Sequence, residues 1–283
     1  MKTVGIFGAG TMGIGVAYVF AEHNYNVILI DNQQSVLNKV DELLEQSYKT
    51  QCFFGNPKKK LDELKKLIHK SQDISELACC DYLIDNTTES FELKSSLLSQ
   101  LKIIIKPDCL VVINTSCISI KSLTPFIDYP HRMLGIHFMN PAPIKSFVEI
   151  IRTNLTSQET LDRAREMLSS LGKSGVIVED KTGFVINRVF MVTLNEAIKV
   201  FEENLCQTAA HIDELFVKCL GHKMGPLMTA DLIGLDTVLH SLNVLYSEFQ
   251  QEMYMPAKLL VDLVEQGQFG RKTGIGLYQY ERM

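Results

Sequence analysis

The chain has 283 residues, 46% of them hydrophobic and 22% charged, with a formal net charge of −5; this is close to the soluble globular average and excludes disorder as the main state. The length suits two domains or one large one, and the apolar content is enough for a sizeable core. The acidic balance argues against a nucleic-acid partner, no window approaches the roughly 18 apolar residues of a membrane span, and the opening Met-Lys-Thr-Val-Gly-Ile-Phe-Gly has no signal-peptide pattern, so a cytoplasmic protein without a membrane partner is expected.

Residues 2–7 form a short apolar run rich in strand formers. Gly8-Ala9-Gly10-Thr11-Met12-Gly13 follows, then a helical pattern over 14–23 and a second strand over 25–30 that ends at Asp31. A parallel strand pair needs such a crossover. Residues 35–70 are helical and strongly charged, with a break at Gly55-Asn56-Pro57. Lys58-Lys59-Lys60, just after the break, is either a solvated helix face or an attractor for an anionic substrate or carrier. Strands are expected at 82–85, 110–113, 133–136, 147–151 and 175–178, with helices at 91–105 and 157–171. Such alternation implies an α/β fold with helices on the faces of a mostly parallel sheet.

Near Lys181 the character changes. Glu179-Asp180-Lys181-Thr182-Gly183 reads as a hinge. After it only helical periodicity remains, at 184–204, 209–220, 229–250 and 256–266. Two domains are expected: a Rossmann-type dinucleotide-binding domain over 1–181 and a smaller all-helical domain over 182–283.

The glycine turn is the first functional signal. Gly8 permits the tight turn, Gly10 lets the backbone approach a pyrophosphate, and Gly13 lets helix and strand pack closely. Thr11 and Met12 open the helix, whose N–H groups and positive dipole end would face phosphates. Asp31 stands where a carboxylate accepts hydrogen bonds from an adenosine ribose. It would repel a 2′-phosphate, and Asn32-Gln33-Gln34 supplies no cation to receive one. NAD rather than NADP is the expected cofactor.

The second signal is an acid inside an apolar strand. Glu149 sits within Phe147-Val148-Glu149-Ile150-Ile151, and a buried carboxylate is costly unless paired. His137 closes an apolar run just before the loop Asn140-Pro141-Ala142-Pro143. If the chain reverses there, the two strands lie side by side and His137 meets Glu149. A carboxylate beside an imidazole orients it and stabilises its cation, which makes a general acid–base pair. A histidine at a strand end is also often a satisfied structural residue. The other six histidines show no comparable partner. The seven cysteines are read as reduced thiols, since the number is odd and no C-x-x-C pair occurs. No close Cys/His cluster has ligand spacing, so no metal is expected.

Taken in order, the glycine turn with Asp31, Asn114-Thr115-Ser116, His137-Phe138-Met139-Asn140-Pro141, Val148-Glu149-Ile150 and Gly183-Phe184-Val185-Ile186-Asn187-Arg188 resemble the short-chain 3-hydroxyacyl-CoA dehydrogenase family, which includes bacterial 3-hydroxybutyryl-CoA dehydrogenases. Met224-Gly225-Pro226, Gly234-Leu235-Asp236 and Gly270-Arg271-Lys272-Thr273-Gly274 extend the likeness over nearly the whole chain. The resemblance implies NAD-dependent oxidation of a 3-hydroxyacyl thioester. It makes His137 the base that takes the 3-hydroxyl proton and Glu149 its partner. Ser116 and Asn187 position the substrate oxygen, and domain closure brings Asn187 to the site. Glu89, Lys94, Ser116, Asn140 and Lys272 match cofactor contacts, although Glu89 and Lys94 also read as a surface pair. A homodimer through the helical domain is implied as well; the apolar periodicity of 230–245, with Val238, Leu242 and Leu245, exceeds one core's needs.

The chain departs from the family at Cys117, where a serine is usual. Cys117, Phe138-Met139-Asn140 and Gly221-His222-Lys223 resemble a biosynthetic branch that oxidises a hydroxyacyl unit on an acyl carrier protein, as in making polyketide extender units. Coenzyme A and a carrier protein both remain open as the thioester carrier, with the lysine run a candidate docking patch for the latter. Two further readings are a non-catalytic NAD-binding homologue and a hydroxyacid dehydrogenase with a lysine acid–base residue.

Overall fold

The structure, a computed structural model, describes residues 1–55 and 57–280; Asn56, within the expected break, and residues 281–283 lie outside the described residues. The chain divides into two compact units, Met1–Lys181 and Thr182–Met283.

The first unit is built on eight strands: β1 (Thr3–Phe7), β2 (Asn26–Ile30), β3 (Ile68–Ser71), β4 (Tyr82–Asp85), β5 (Leu110–Ile113), β6 (Met133–His137), β7 (Phe147–Arg152) and β8 (Ser174–Glu179). They form one sheet in the order β3-β2-β1-β4-β5-β6-β7-β8. Every neighbouring pair is parallel except β6 and β7. The exception follows from chain length: residues 138–146 are too few for the crossover a parallel pair requires. The central strands β4 and β5 are buried at every position, which explains their unbroken apolar runs.

Its helices are α1 (Thr11–Glu22), α2 (Gln34–Leu37), α3 (Val40–Phe54), α4 (Leu61–Leu67), α5 (Phe91–Leu101), α6 (Ile120–Leu123) and α7 (Gln158–Ser170). Sequence periodicity over 35–70 hid β3. Two of its four residues, His69 and Lys70, are exposed, and it pairs only with β2, at the sheet edge. Charged side chains on short edge strands discourage pairing between molecules, and they also erase the apolar signal of a strand.

The second unit contains α8 (Ile186–Glu202), α9 (Ala209–Leu220), α10 (Pro226–Ile233), α11 (Leu235–Phe249) and α12 (Lys258–Glu265). The expected single helix over 229–250 is two helices. Gly234 interrupts it at φ 103°, in a region that side-chain-bearing residues avoid. Val238, Leu242 and Leu245 have no exposed surface and pack with Leu194, Ile198, Leu227 and Leu260. They serve this unit's own core, so they give no argument for a dimer. Buried carboxylates organise the rest. Asp213 accepts from the N–H groups of Leu227 and Met228, both at 2.8 Å, and so satisfies orphan donors in the first turn of α10. Asp231 accepts from the N–H groups of Leu277 and Tyr278 at 3.0 and 2.9 Å, which ties down the C-terminal segment. Among the described residues no helix is long and apolar enough to cross a membrane.

Candidate active site

Strand order reverses direction between β1 and β4, and ligands of open α/β sheets bind outside the carboxyl ends of strands at such a point. The three glycines of the first turn have three different reasons to lack a side chain. Gly8 has φ +97°, and a Cβ there would lie 2.6 Å from the Asn86 carbonyl oxygen. A Cβ on Gly13 would lie 1.8 Å from the Gly8 carbonyl oxygen. A Cβ on Gly10 would meet nothing within 4 Å. Space is therefore kept open at Gly10, which is also the N-cap of α1 and provides no side-chain cap. Thr11 and Met12 follow in the first turn. Asp31, just past β2, accepts from Ala9 N at 2.9 Å and Gln33 N at 3.0 Å, which holds its carboxylate against the glycine loop. An uncapped helix terminus, an open backbone cradle and an adjacent carboxylate fit an adenine dinucleotide with a free ribose 2′-hydroxyl.

Farther along the sheet, β6 and β7 pair with His137 directly opposite Glu149. Both are buried, with 7% and 3% of their surface exposed. His137 Nδ1 lies 2.8 Å from Glu149 Oε2, and His137 Nε2 lies 3.2 Å from Ser116 Oγ. A carboxylate only accepts hydrogen bonds, so Nδ1 donates, and in the neutral imidazole Nε2 is then the acceptor. The Ser116 hydroxyl donates to it. The antiparallel reversal therefore does what the sequence pattern anticipated for these two side chains.

Ser116–His137–Glu149 is also the contact order of an acyl-transfer triad. Glu89 argues against that chemistry. Its Oε1 accepts from the N–H groups of Ser116, Cys117 and Ile118 at 3.0, 2.8 and 3.3 Å, and from Thr115 Oγ1 at 2.5 Å. Those three backbone donors are turned onto a carboxylate instead of toward an oxyanion. Cys117 is buried in the same loop.

The structure separates other anticipated residues. Glu89 and Lys94 do not form a surface pair. Lys94 has no exposed surface, and its Nζ lies 3.2 Å from Asp85 Oδ2, 3.1 Å from the Asn114 carbonyl oxygen and 3.3 Å from that of Thr87. It ties together the loops after β4 and β5. Asn140 is exposed at the start of the connection after β6. Asn187 is buried in the first turn of α8. Lys272 belongs to the second unit and pairs through Nζ with Asp236 at 2.6 Å. In the lysine run, Lys58 Nζ lies 2.7 Å from His23 Nε2 and Lys59 Nζ lies 2.6 Å from Asn24 Oδ1, so two of the three cations are engaged with the end of α1.

Asn114 was not anticipated as an individual contributor. Its Oδ1 accepts from Phe138 N at 3.1 Å and its Nδ2 donates to Asn86 Oδ1 at 2.7 Å. One amide thus joins the loops after β4, β5 and β6. The available signal was a polar residue at the carboxyl end of an apolar strand. A cavity of about 180 Å³ lies between α1, α3 and residues 140–143.

Comparison with known proteins adds the following. The model described as "3-hydroxyacyl-CoA dehydrogenase, NAD binding domain" matches residues 3–181, and "3-hydroxyacyl-CoA dehydrogenase, C-terminal domain" matches residues 183–280. The chain is 37% identical to a probable 3-hydroxybutyryl-CoA dehydrogenase of Deinococcus radiodurans, over 98% of this chain and 99% of that one. It is 36% identical to a 3-hydroxybutyryl-CoA dehydrogenase of Bradyrhizobium diazoefficiens, over 99% and 96% of the two chains. The crystal structure of the (S)-3-hydroxybutyryl-CoA dehydrogenase of Ralstonia eutropha superposes with a TM-score of 0.91 at 35% identity, covering all of both chains.

Proposed function

The chain belongs to the 3-hydroxyacyl-CoA dehydrogenase family, and from that premise we propose that it oxidises a 3-hydroxyacyl-CoA thioester to the 3-oxoacyl thioester with NAD. Bound NAD supplies the hydride acceptor for C3 of the substrate. Gly8, Gly10, Thr11, Met12, Gly13 and Asp31 would hold it.

The observation that carries the reading is the 2.8 Å contact between His137 and Glu149, with Nε2 turned to Ser116 at the carboxyl ends of the sheet strands. His137 Nε2 takes the proton of the 3-hydroxyl as its carbon is oxidised. Glu149 holds the ring in the tautomer whose Nε2 is the acceptor and then balances the imidazolium charge. In the reducing direction the same nitrogen returns the proton. Ser116 orients the substrate oxygen, and Asn187 is assigned to that oxygen as well. Glu89, by fixing the backbone of residues 115–118, keeps Ser116 in place. Asn140 and Lys272 are assigned to the cofactor on the family resemblance.

Coenzyme A is the preferred carrier over an acyl carrier protein. Two of the three lysines in the run that suggested protein docking, Lys58 and Lys59, are drawn onto His23 and Asn24, and the relatives are named for CoA thioesters. NADH formation from 3-hydroxybutyryl-CoA tests the reading. Turnover only with a carrier-bound hydroxyacyl unit would replace it. A homodimer is proposed on the strength of apolar side chains left exposed on α9, where Leu215 and Leu220 are 55% and 64% accessible.

A further inference from the structure

Lys173 is buried at the junction between α7 and β8, with 7% of its surface exposed. Its Nζ donates to the carbonyl oxygens of Ala142 and Lys145, at 2.7 and 2.6 Å. Both belong to the connection that leads from His137 to Glu149. Within that connection the N–H groups of Ile144 and Lys145 bond to the Pro141 carbonyl, forming a single helical turn. Such a turn leaves carbonyl oxygens without intrahelical partners and carries partial negative charge at that end, which the ammonium neutralises. Residues 140–143 of this connection form one wall of the cavity beside Thr11, Gly15, Ser47 and Thr50. Ala142 lies against α1, since a Cβ on Gly15 would touch the Ala142 Cβ at 3.4 Å.

We propose that Lys173 is a positioning residue for the reaction, holding residues 140–145 so that the cavity between α1, α3 and this segment receives the thioester arm of the substrate. An apolar side chain would fill the same buried space without desolvating a charge. Burial in fact draws the Lys173 ammonium down to about 8, with Glu22 as the facing charge that opposes the shift. A cation is retained here although its burial is unfavourable, and its hydrogen bonds go to Ala142 in the cavity wall and to Lys145 just after that wall.

The inference rests on the acyl-CoA reading above, and wild-type turnover of 3-hydroxybutyryl-CoA checks that reading separately. Lys173→Met keeps the bulk and removes the donors. KM for 3-hydroxybutyryl-CoA is expected to rise about tenfold with kcat within about threefold, while KM for the N-acetylcysteamine thioester of the same acid, whose arm is truncated, stays within twofold. Thr50→Trp fills the cavity from α3 without touching Lys173, and the same split is expected; it keeps the test open if Lys173→Met fails to fold. An unchanged KM for the CoA ester in either folded variant, or an equal rise for both thioesters, overturns the proposal and leaves the acyl-CoA reading intact.

Discussion

At the scale of single residues, the proposed proton path consists of three side chains. Replacing His137 by Gln keeps a polar side chain and removes the proposed base. A fall in kcat on the order of 10² to 10⁴ is expected, with NADH affinity unchanged by fluorescence titration; full turnover in this variant would exclude His137 as the base. Glu149→Gln removes the charge proposed to balance the imidazolium and replaces an accept-only carboxylate by an amide that can accept from or donate to Nδ1, so the ring tautomer is no longer fixed. A smaller loss and a displaced pH–rate profile are expected, and an unaltered profile would uncouple the two groups. Lys173 makes a separate prediction about stability. Its ordinary pKa is 10.5, and burial draws it down to about 8. Between these values the unfolded chain binds more protons than the folded one, so unfolding free energy rises with pH through that window. Urea melts at pH 7.5 and pH 10 should show wild type gaining on Lys173→Met as pH increases; a constant difference would contradict the buried ammonium.

At the scale of elements, the turn from β1 into α1 separates packing from binding. A Cβ on Gly13 would stand 1.8 Å from the Gly8 carbonyl oxygen, whereas one on Gly10 meets nothing within 4 Å. Gly13→Ala must displace helix from strand and is expected to lower both thermal stability and NADH binding. Gly10→Ala is expected to leave stability within about 0.5 kcal/mol and to weaken NADH roughly tenfold or more, about 1.4 kcal/mol. Equal stability losses in both variants would mean that the open space at Gly10 is not kept for a ligand. The short link between β6 and β7 works at this scale too. By forcing antiparallel pairing it sets His137 against Glu149 in register, and a one-residue slip would turn the side chains of one strand to the opposite face.

At the scale of the molecule, each of the two units buries apolar side chains of its own. The proposed dimer predicts a mass by light scattering of twice the 31.9 kDa of one chain. A monomer mass at micromolar concentration would remove it and would leave the exposed Leu215 and Leu220 unexplained.

Much of this was legible before folding was considered. The glycine turn, Asp31 and the alternation of apolar strands with helices specify a dinucleotide-binding α/β fold, because local steric needs and periodicity are properties of neighbouring residues. The helical character after Gly183 was legible for the same reason. What lies far apart in sequence was not. That Glu89 gathers the N–H groups of residues 116–118, that Lys94 joins the loops after β4 and β5, and that Lys173 supports the segment after His137 all depend on loops from different strands meeting at one edge of the sheet. Val238, Leu242 and Leu245 show the same limit: periodicity identifies an apolar face, but only the packed structure reveals what covers it. Chain chemistry alone determines which groups need a partner; the tertiary fold decides which partner each one meets, since burial and long-range proximity exist only once the sheet has assembled.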